Sequence, residues 1–297
     1  MAAGVEADTA TFLEHRNLLF TVAYELLGSA ADAEDVLQEA WLRWSGVDLA
    51  EIRDRRSYLV RIVSRLALDR IRQLGRRKES YVGPWLPEPL LTSPDVAEDV
   101  ELAESVSMAM LLVLETLTPT ERAVFVLRDV FDLGYDEIAA AVDKSAAAVR
   151  QIAHRARQHV AARRPRGLAT ATEAREALEA FRRALETGDL QGLLDRLAPD
   201  VVLLGDGGGV ARTAPEPVHG YDQVAGLLSR RLPIAGGLIM VEQATVNGWP
   251  ALVVREDGAI TTVVTARIDD GLITGLYLVR NPAKLSRLDV ETPVSRD

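Results

Sequence analysis

The sequence predicts a multidomain chain: two all-α modules joined by an acidic, proline-rich linker, then an α+β domain. Three observations predict it. Apolar residues recur at helical spacing from Phe12 to the neighbourhood of Arg164, then give way to strand-like runs from Val201 onward. Charge is segmented: Arg61 to Lys78 holds seven basic residues and one acid, Tyr81 to Glu121 no basic residue, and Arg150 to Arg166 six arginines and no acid. The pairs Asn247-Gly248, Asp257-Gly258 and Asp270-Gly271 separate the later apolar runs, as hairpin turns require.

A length of 297 residues suits two or three domains. Hydrophobic residues make up 48% and charged residues 26%, enough apolar side chain for a real core. The chain has no cysteine, which excludes a disulfide framework, a thiolate zinc site and a thiol nucleophile and fits a reducing cytosol. Met1 to Thr11 has neither the basic nor the apolar region of a signal peptide, and no run reaches the ~18 apolar residues of a membrane span. A cytoplasmic protein without a membrane segment is expected. The net charge of -10 argues against nucleic acid only if charge is averaged over the chain; its distribution decides.

The first helix carries Phe12, Leu13, Leu18, Leu19, Val22, Ala23, Leu26 and Leu27, and Gly28 ends it. Ser29 caps a second helix bearing Val36, Leu37, Ala40, Trp41 and Trp44. A third helix runs from about Ser57 to Leu74, with Gly75 expected to close it. Pro84, Pro87, Pro89 and Pro94 mark residues 81–100 as a linker. Helices resume near Val100 and continue to about Arg164, and Pro165 and Gly167 mark a second short linker. Two helices (Glu173–Glu186 and Leu190–Leu197) then precede strands at Val201–Leu204, Leu238–Val246, Ala251–Val254, Ile260–Ile268 and Leu272–Val279. An antiparallel sheet is expected there.

Leu133 to Arg157 reads as a helix-turn-helix. Tyr135 to Val142 is a short amphipathic helix, Asp143-Lys144 a tight turn, and Ser145 the cap of the next helix. Val149 and Ile152 anchor that helix, leaving Ala147, Arg150, Gln151, His154 and Arg155 to face outward. Arg and Gln suit guanine and adenine edges in the major groove, and alanines allow close approach.

At these residues the chain resembles a known family. Thr118-Pro119-Thr120-Glu121-Arg122, Tyr135-Asp136-Glu137-Ile138-Ala139, Val149-Arg150 and His154 to Arg157 are similar to region four of the extracytoplasmic-function sigma factors. Asp32 to Trp41 and Ser57 to Arg72 resemble region two of the same family. Trp85-Leu86-Pro87-Glu88-Pro89-Leu90, Asp206-Gly207-Gly208-Gly209 and Asn281-Pro282-Ala283-Lys284-Leu285 are similar to three motifs of a subgroup with a C-terminal SnoaL-like domain. Val210 and Ala283 stand where that subgroup often has a basic and an acidic residue. The resemblance implies region two over residues 1–80, a linker over 81–100, region four over 101–166 and a regulatory SnoaL-like cone over 167–297.

Its functional implications are specific. Core RNA polymerase would be gripped at the largest-subunit clamp by Asp32, Asp35, Gln38, Glu39, Trp41 and Leu42, and at the flap by region four. Promoter DNA would be held by Arg61, Arg65, Arg70, Arg72, Arg76 and Arg77 through phosphate attraction. Arg53, Arg55 and Arg56 would lie in the loop where a flipped base is captured. Ser145, Ala147, Arg150, Gln151, His154 and Arg155 would read the minus-thirty-five element. Trp85, Leu86 and Pro87 are expected to dock against Asp206, Gly207, Gly208, Gly209, Asn281, Pro282, Lys284 and Leu285, setting the spacing of the two readers.

Other readings compete. Asp32, Asp35 and Glu39 share a helix face, but no histidine joins them and one helix supplies too few ligands, so no metal or cofactor is expected. An enzymatic cone would need a proton-transfer group, for which Asp206, His219 and Asp222 are the candidates. A small ligand inside the cone is a further expectation. A one-component DNA-binding regulator with a ligand-sensing C-terminal domain is the main alternative, and it leaves the region-two resemblance unused.

Overall fold

A computed structural model describes residues 2–47, 52–97, 99–163, 170–188, 190–231 and 239–296. The expected short linker at Pro165 and Gly167 lies outside them, as does Leu238.

Among the described residues the first part holds eight α-helices: α1 (Ala2–Leu27), α2 (Ala30–Trp44), α3 (Arg55–Glu79), α4 (Val100–Val106), α5 (Met108–Glu115), α6 (Pro119–Phe125), α7 (Tyr135–Val142) and α8 (Ala146–Ala161). Gly28, at φ +67°, ends α1. The Ser29 hydroxyl accepts from the Asp32 N–H and starts α2. Gly75 does not close α3. It keeps a negative φ, and the helix runs four residues further, because the flanking Gln, Leu, Arg and Lys are good helix formers that outweigh its ~1 kcal/mol penalty. Arg55 and Arg56, expected in the preceding loop, form the first turn of α3. Ser107 ends α4 and caps α5, and Thr118 with Glu121 forms a reciprocal capping box on α6.

These helices share one apolar core. It runs from Leu18, Phe20 and Trp44 through Leu59 and Val63 to Val124, Ile138 and Val149. α7 lies on α3, where the Arg65 guanidinium donates to the Ala140 carbonyl at 2.6 Å and Ser57 meets Glu137.

The second part is α9 (Ala171–Thr187), α10 (Gln191–Leu194), β1 (Leu197–Asp206), β2 (Val218–His219), α11 (Tyr221–Arg231), β3 (Ile239–Val246), β4 (Trp249–Glu256), β5 (Ala259–Asp269), β6 (Leu272–Val279) and α12 (Pro282–Leu285). The sheet order is β2-β1-β6-β5-β4-β3. The sheet is mixed rather than antiparallel throughout: β1 pairs parallel with β6, because the chain leaves β1, crosses by β2 and α11, and fills the other positions with a β3–β6 meander. Asn247-Gly248, Asp257-Gly258 and Asp270-Gly271 all take positive φ at both residues, the hairpin geometry their composition favours. One sheet face packs on α9 and α11 through Phe181, Leu185, Val224 and Leu252. The other buries Leu86 of the linker and Met108 of α5 against Val253, Val263 and Val279.

The linker is therefore a strap lying between the two parts. Leu86 and Leu90 are almost fully buried, and Leu91 bridges Val246 at the sheet edge. The chain then returns to the helices: Val294 enters their core, the Ser295 N–H donates to the Thr21 hydroxyl at 2.9 Å, and Arg296 pairs with Asp99 and Glu101.

Candidate functional site

The surface of α2 combines charge held in pairs with exposed apolar atoms. Arg70 of α3 contacts Asp32 at 2.6 Å and Asp35 at 2.9 Å, and Glu39 pairs with Arg43. Trp41 stands edge-on to Phe12, centroids 5.3 Å apart, while Leu42 is 71% exposed and Gln38 exposed. Arg70 is thus a strut between α2 and α3 instead of part of a free cationic stripe. The sequence pattern could not show this, because the acids lie 35 and 38 residues away.

Most arginines of α3 also have partners within the chain. Arg61 stacks over Tyr58 at 4.7 Å, Arg72 pairs with Asp69, Arg55 donates to the Thr11 hydroxyl, and Arg56 to the Arg296 carbonyl. Arg53 is exposed in the preceding loop. The side chains of Arg76 and Arg77 lie outside the described residues. At the start of α3, Asp54 accepts from the Ser57 backbone N–H and hydroxyl, which hold its carboxyl below the usual carboxylate range.

The helix-turn-helix has the expected boundaries. Asp143 turns the chain at φ +54°, and the Ser145 hydroxyl accepts from the Ala148 N–H at 3.2 Å. Val149 and Ile152 are buried, while Ser145, Ala147, Arg150, Gln151, His154 and Arg155 are exposed along one side of α8. The Arg150 guanidinium lies 5.3 Å from the Tyr135 ring centroid, so it spans both helices of the motif.

The three linked motifs meet in one polar cluster built on Asp206, which is fully buried at the end of β1. Its Oδ1 accepts from the Tyr81 hydroxyl (2.6 Å) and the Gly208 N–H (3.1 Å). Its Oδ2 accepts from the Leu86 N–H (2.9 Å) and the Lys284 ammonium (2.7 Å). Lys284 also donates to the Leu86 carbonyl and lies 4.2 Å from the Trp85 ring centroid. Asn281 caps α12 and donates to Tyr81 at 2.8 Å. The glycines follow from this crowding. A Cβ on Gly207 would sit 2.1 Å from the Ala211 carbonyl oxygen, and one on Gly208, which has φ +61°, 2.4 Å from Asn281. Burial and the adjacent Asp206 push the Tyr81 hydroxyl well above its ordinary pKa.

Three further residues were not singled out by sequence. Glu88 of the linker accepts from the Ala30 N–H (2.8 Å), the Ala31 N–H (3.3 Å) and the Ser29 hydroxyl, placing a carboxylate on the positive end of α2. Burial raises its pKa against those bonds. Asn247, read only as a turn residue, is fully buried and donates to the Tyr24 hydroxyl (2.6 Å) and the Val106 carbonyl (3.0 Å) while accepting from the Leu90 N–H (3.0 Å). Arg122, almost fully buried, donates to the Leu26 carbonyl and Glu115, pinning α6 to the end of α1. The 3-residue E-x-x-type spacing that reveals a cap within one helix has no counterpart for bonds of this sequence separation.

The enzymatic candidates do not assemble. His219 and Asp222 are exposed, and Asp206 is enclosed by the motif cluster. Among the described residues no group of three His, Asp or Glu could hold a metal ion, and no helix is long and apolar enough to cross a membrane.

Comparison with known proteins agrees with this geometry. The family model "Sigma-70 region 2" matches residues 11–77 and "Sigma-70, region 4" matches residues 107–160. The chain is 39% identical to the ECF RNA polymerase sigma factor SigJ of Mycobacterium tuberculosis, covering 94% of this chain and 93% of that one. It is 32% identical to the probable ECF RNA polymerase sigma factor SigI of the same species, covering 95% and 96%. The crystal structure of M. tuberculosis SigJ superposes with a TM-score of 0.74 at 35% identity, covering 94% of this chain and 99% of that one.

Proposed function

This chain belongs to the extracytoplasmic-function RNA polymerase sigma factors, a non-enzymatic family that binds core polymerase and promoter DNA, and on that premise we propose how its surfaces divide the task. Residues 1–80 act as region two. The exposed side of α2 (Asp32, Asp35, Gln38, Glu39, Trp41 and Leu42) meets the clamp of the largest subunit. The start of α3, with Arg53, Arg56, Arg61 and Arg65, engages the minus-ten element. Residues 101–166 act as region four: α8 enters the major groove of the minus-thirty-five element through Arg150, Gln151, His154 and Arg155, and the module meets the polymerase flap. The strap at 81–100 and the SnoaL-like domain at 167–297 regulate the two readers in cis. The protein works where its polymerase is, in the cytoplasm.

The observation that carries this reading is α8. It is capped and anchored as a recognition helix, with no acid on its exposed polar side, in the same chain as a complete region-two module. A one-component regulator would give that module nothing to do.

α7 stacked on α3 is the resting arrangement in this reading. Arg65 and Ser57 are engaged by α7, so the readers must part before both touch one promoter. Purified chain mixed with bacterial core polymerase should co-elute with it and support run-off transcription from its cognate promoter, whereas the chain alone binds that DNA poorly. Absence of any affinity for core polymerase refutes the reading; tight operator binding without polymerase favours the one-component alternative.

A further inference from the structure

Between the sheet and the helices α9 and α11 lies a cavity of about 270 Å3 that promoter reading does not use. Phe181, Leu185, Leu203, Val264 and Leu278 make its walls apolar. Its polar lining is Arg212, Thr213, Glu256, Thr262 and Arg280. Arg212 and Glu256 are exposed, and Arg280 is half-buried. Arg280 is 4.0 Å from Glu256 and donates through Nη1 to the Arg212 carbonyl at 3.0 Å. Its Nε is buried and has no acceptor among the described residues. That nitrogen is covered by protein atoms, so a molecule in the cavity meets the guanidinium only through its terminal nitrogens.

We propose that this cavity binds an apolar monocarboxylic acid of medium chain length, its hydrocarbon body against Phe181, Leu203 and Leu278 and its carboxylate on Arg280 and Arg212. Size selects the body: the volume is just below the roughly 300–1,000 Å3 of pockets for drug-sized ligands, so a flexible chain or single ring fits better than a fused polycycle. Charge selects the head. Two guanidinium groups against one carboxylate leave one positive charge among the lining residues, matching a monoanion and disfavouring a phosphate dianion.

The site adjoins the motif cluster. Gly205 lines the cavity and Asp206 follows it; Arg280 lines the cavity and Asn281 follows it. The Arg280 backbone N–H holds the Asp206 carbonyl at 2.7 Å. A carboxylate that reorients Arg280 therefore acts on the hold over the strap, a consequence that rests on the sigma factor reading.

Calorimetric titration of the full chain tests the binding, with decanoate as the probe, 1-decanol as its neutral match and decyl phosphate as a dianion. Decanoate should saturate one site and bind about ten- to a hundredfold more tightly than decanol, as charge-assisted hydrogen bonds do. Arg280→Met should remove that margin while leaving decanol binding unchanged, its fold checked by circular dichroism. The three-ligand comparison on the unaltered chain needs no variant. Decanoate binding no tighter than decanol, no saturable decanoate binding, or decyl phosphate binding most tightly overturns the proposal. No polymerase is present, so failure here is distinct from failure of the transcription reading.

Discussion

Replacing Lys284 by methionine isolates the ionic part of the strap's attachment. Methionine keeps an unbranched stem of similar length over Trp85 and removes only the ammonium. Asp206, fully buried, would then retain three neutral donors, from Tyr81, Leu86 and Gly208, and no cation. Removing one partner of a buried pair typically costs about 3–5 kcal/mol. The three surviving hydrogen bonds place this case at the lower end, about 3 kcal/mol. The Leu86 carbonyl loses its donor as well, which adds about 1 kcal/mol. A total of about 4 kcal/mol corresponds to a strap population undocked nearly a thousandfold more often. Chymotrypsin reads this directly, because Trp85, Leu90 and Leu91 are buried or half-buried when the strap is seated. Trypsin serves as the control, since the strap has no basic residue. Cleavage should accelerate by two to three orders of magnitude where opening is faster than cleavage, to be measured beside urea unfolding. Asp206→Asn combined with Lys284→Met should be less damaging than the sum of the two, since it removes the stranded charge. Unchanged cleavage and stability within about 1 kcal/mol of the parent would refute the reasoning.

Glu25 supplies a pH prediction. Ser105 donates to one carboxyl oxygen at 2.8 Å, the other has no partner among the described residues, and burial pushes the pKa to about 8. The folded state therefore keeps a proton that the unfolded chain releases near its ordinary value of 4.5, so stability is full below pH 4.5 and falls as pH rises towards about 8. Glu25→Gln should match the parent near pH 4.5 and exceed it by several kcal/mol at pH 8; a difference independent of pH would contradict this. Arg122→Met should destabilise the helical part by about 1–3 kcal/mol in urea, by leaving the buried Leu26 carbonyl without this donor. Arg150→Ala in holoenzyme should relax preference at one base pair of the upstream element by about 1–3 kcal/mol, read by competition among promoter variants; uniform weakening would reassign Arg150 to phosphate contact. Leu42→Asp should weaken core polymerase binding while leaving thermal stability unchanged, since the side chain is 71% exposed.

What was legible in the sequence was local. Capping at Ser29 and Ser145, the turn at Asp143 and the three hairpin turns depend on residues within a few positions, so composition reveals them. The exposed face of α8 followed from the spacing of Val149 and Ile152. The meeting of Trp85-Leu86-Pro87 with Asp206 to Gly209 and Asn281 to Leu285 was legible only through resemblance, since nothing in the spacing joins segments 120 and 198 residues apart. The rest depended on bonds between distant elements. Arg70 looked like a DNA contact because its partners belong to α2, and Glu88 looked like one acid among many in a spacer. β2 and α11 were missed, β2 because a two-residue strand has no period, and with them went the parallel pairing of β1 and β6.

The placement of Glu88 ties two distant parts of the chain thermodynamically. The first amides of α2 are satisfied by a side chain 58 and 57 residues downstream, so that helix begins with all its donors met only while the strap is seated. Lifting the strap returns Ala30 and Ala31 to solvent and frays the start of the helix that carries Leu42. By reciprocity, whatever stiffens the start of α2 in this conformation also holds the strap more firmly, and whatever holds the strap down disfavours a partner that needs α2 rearranged.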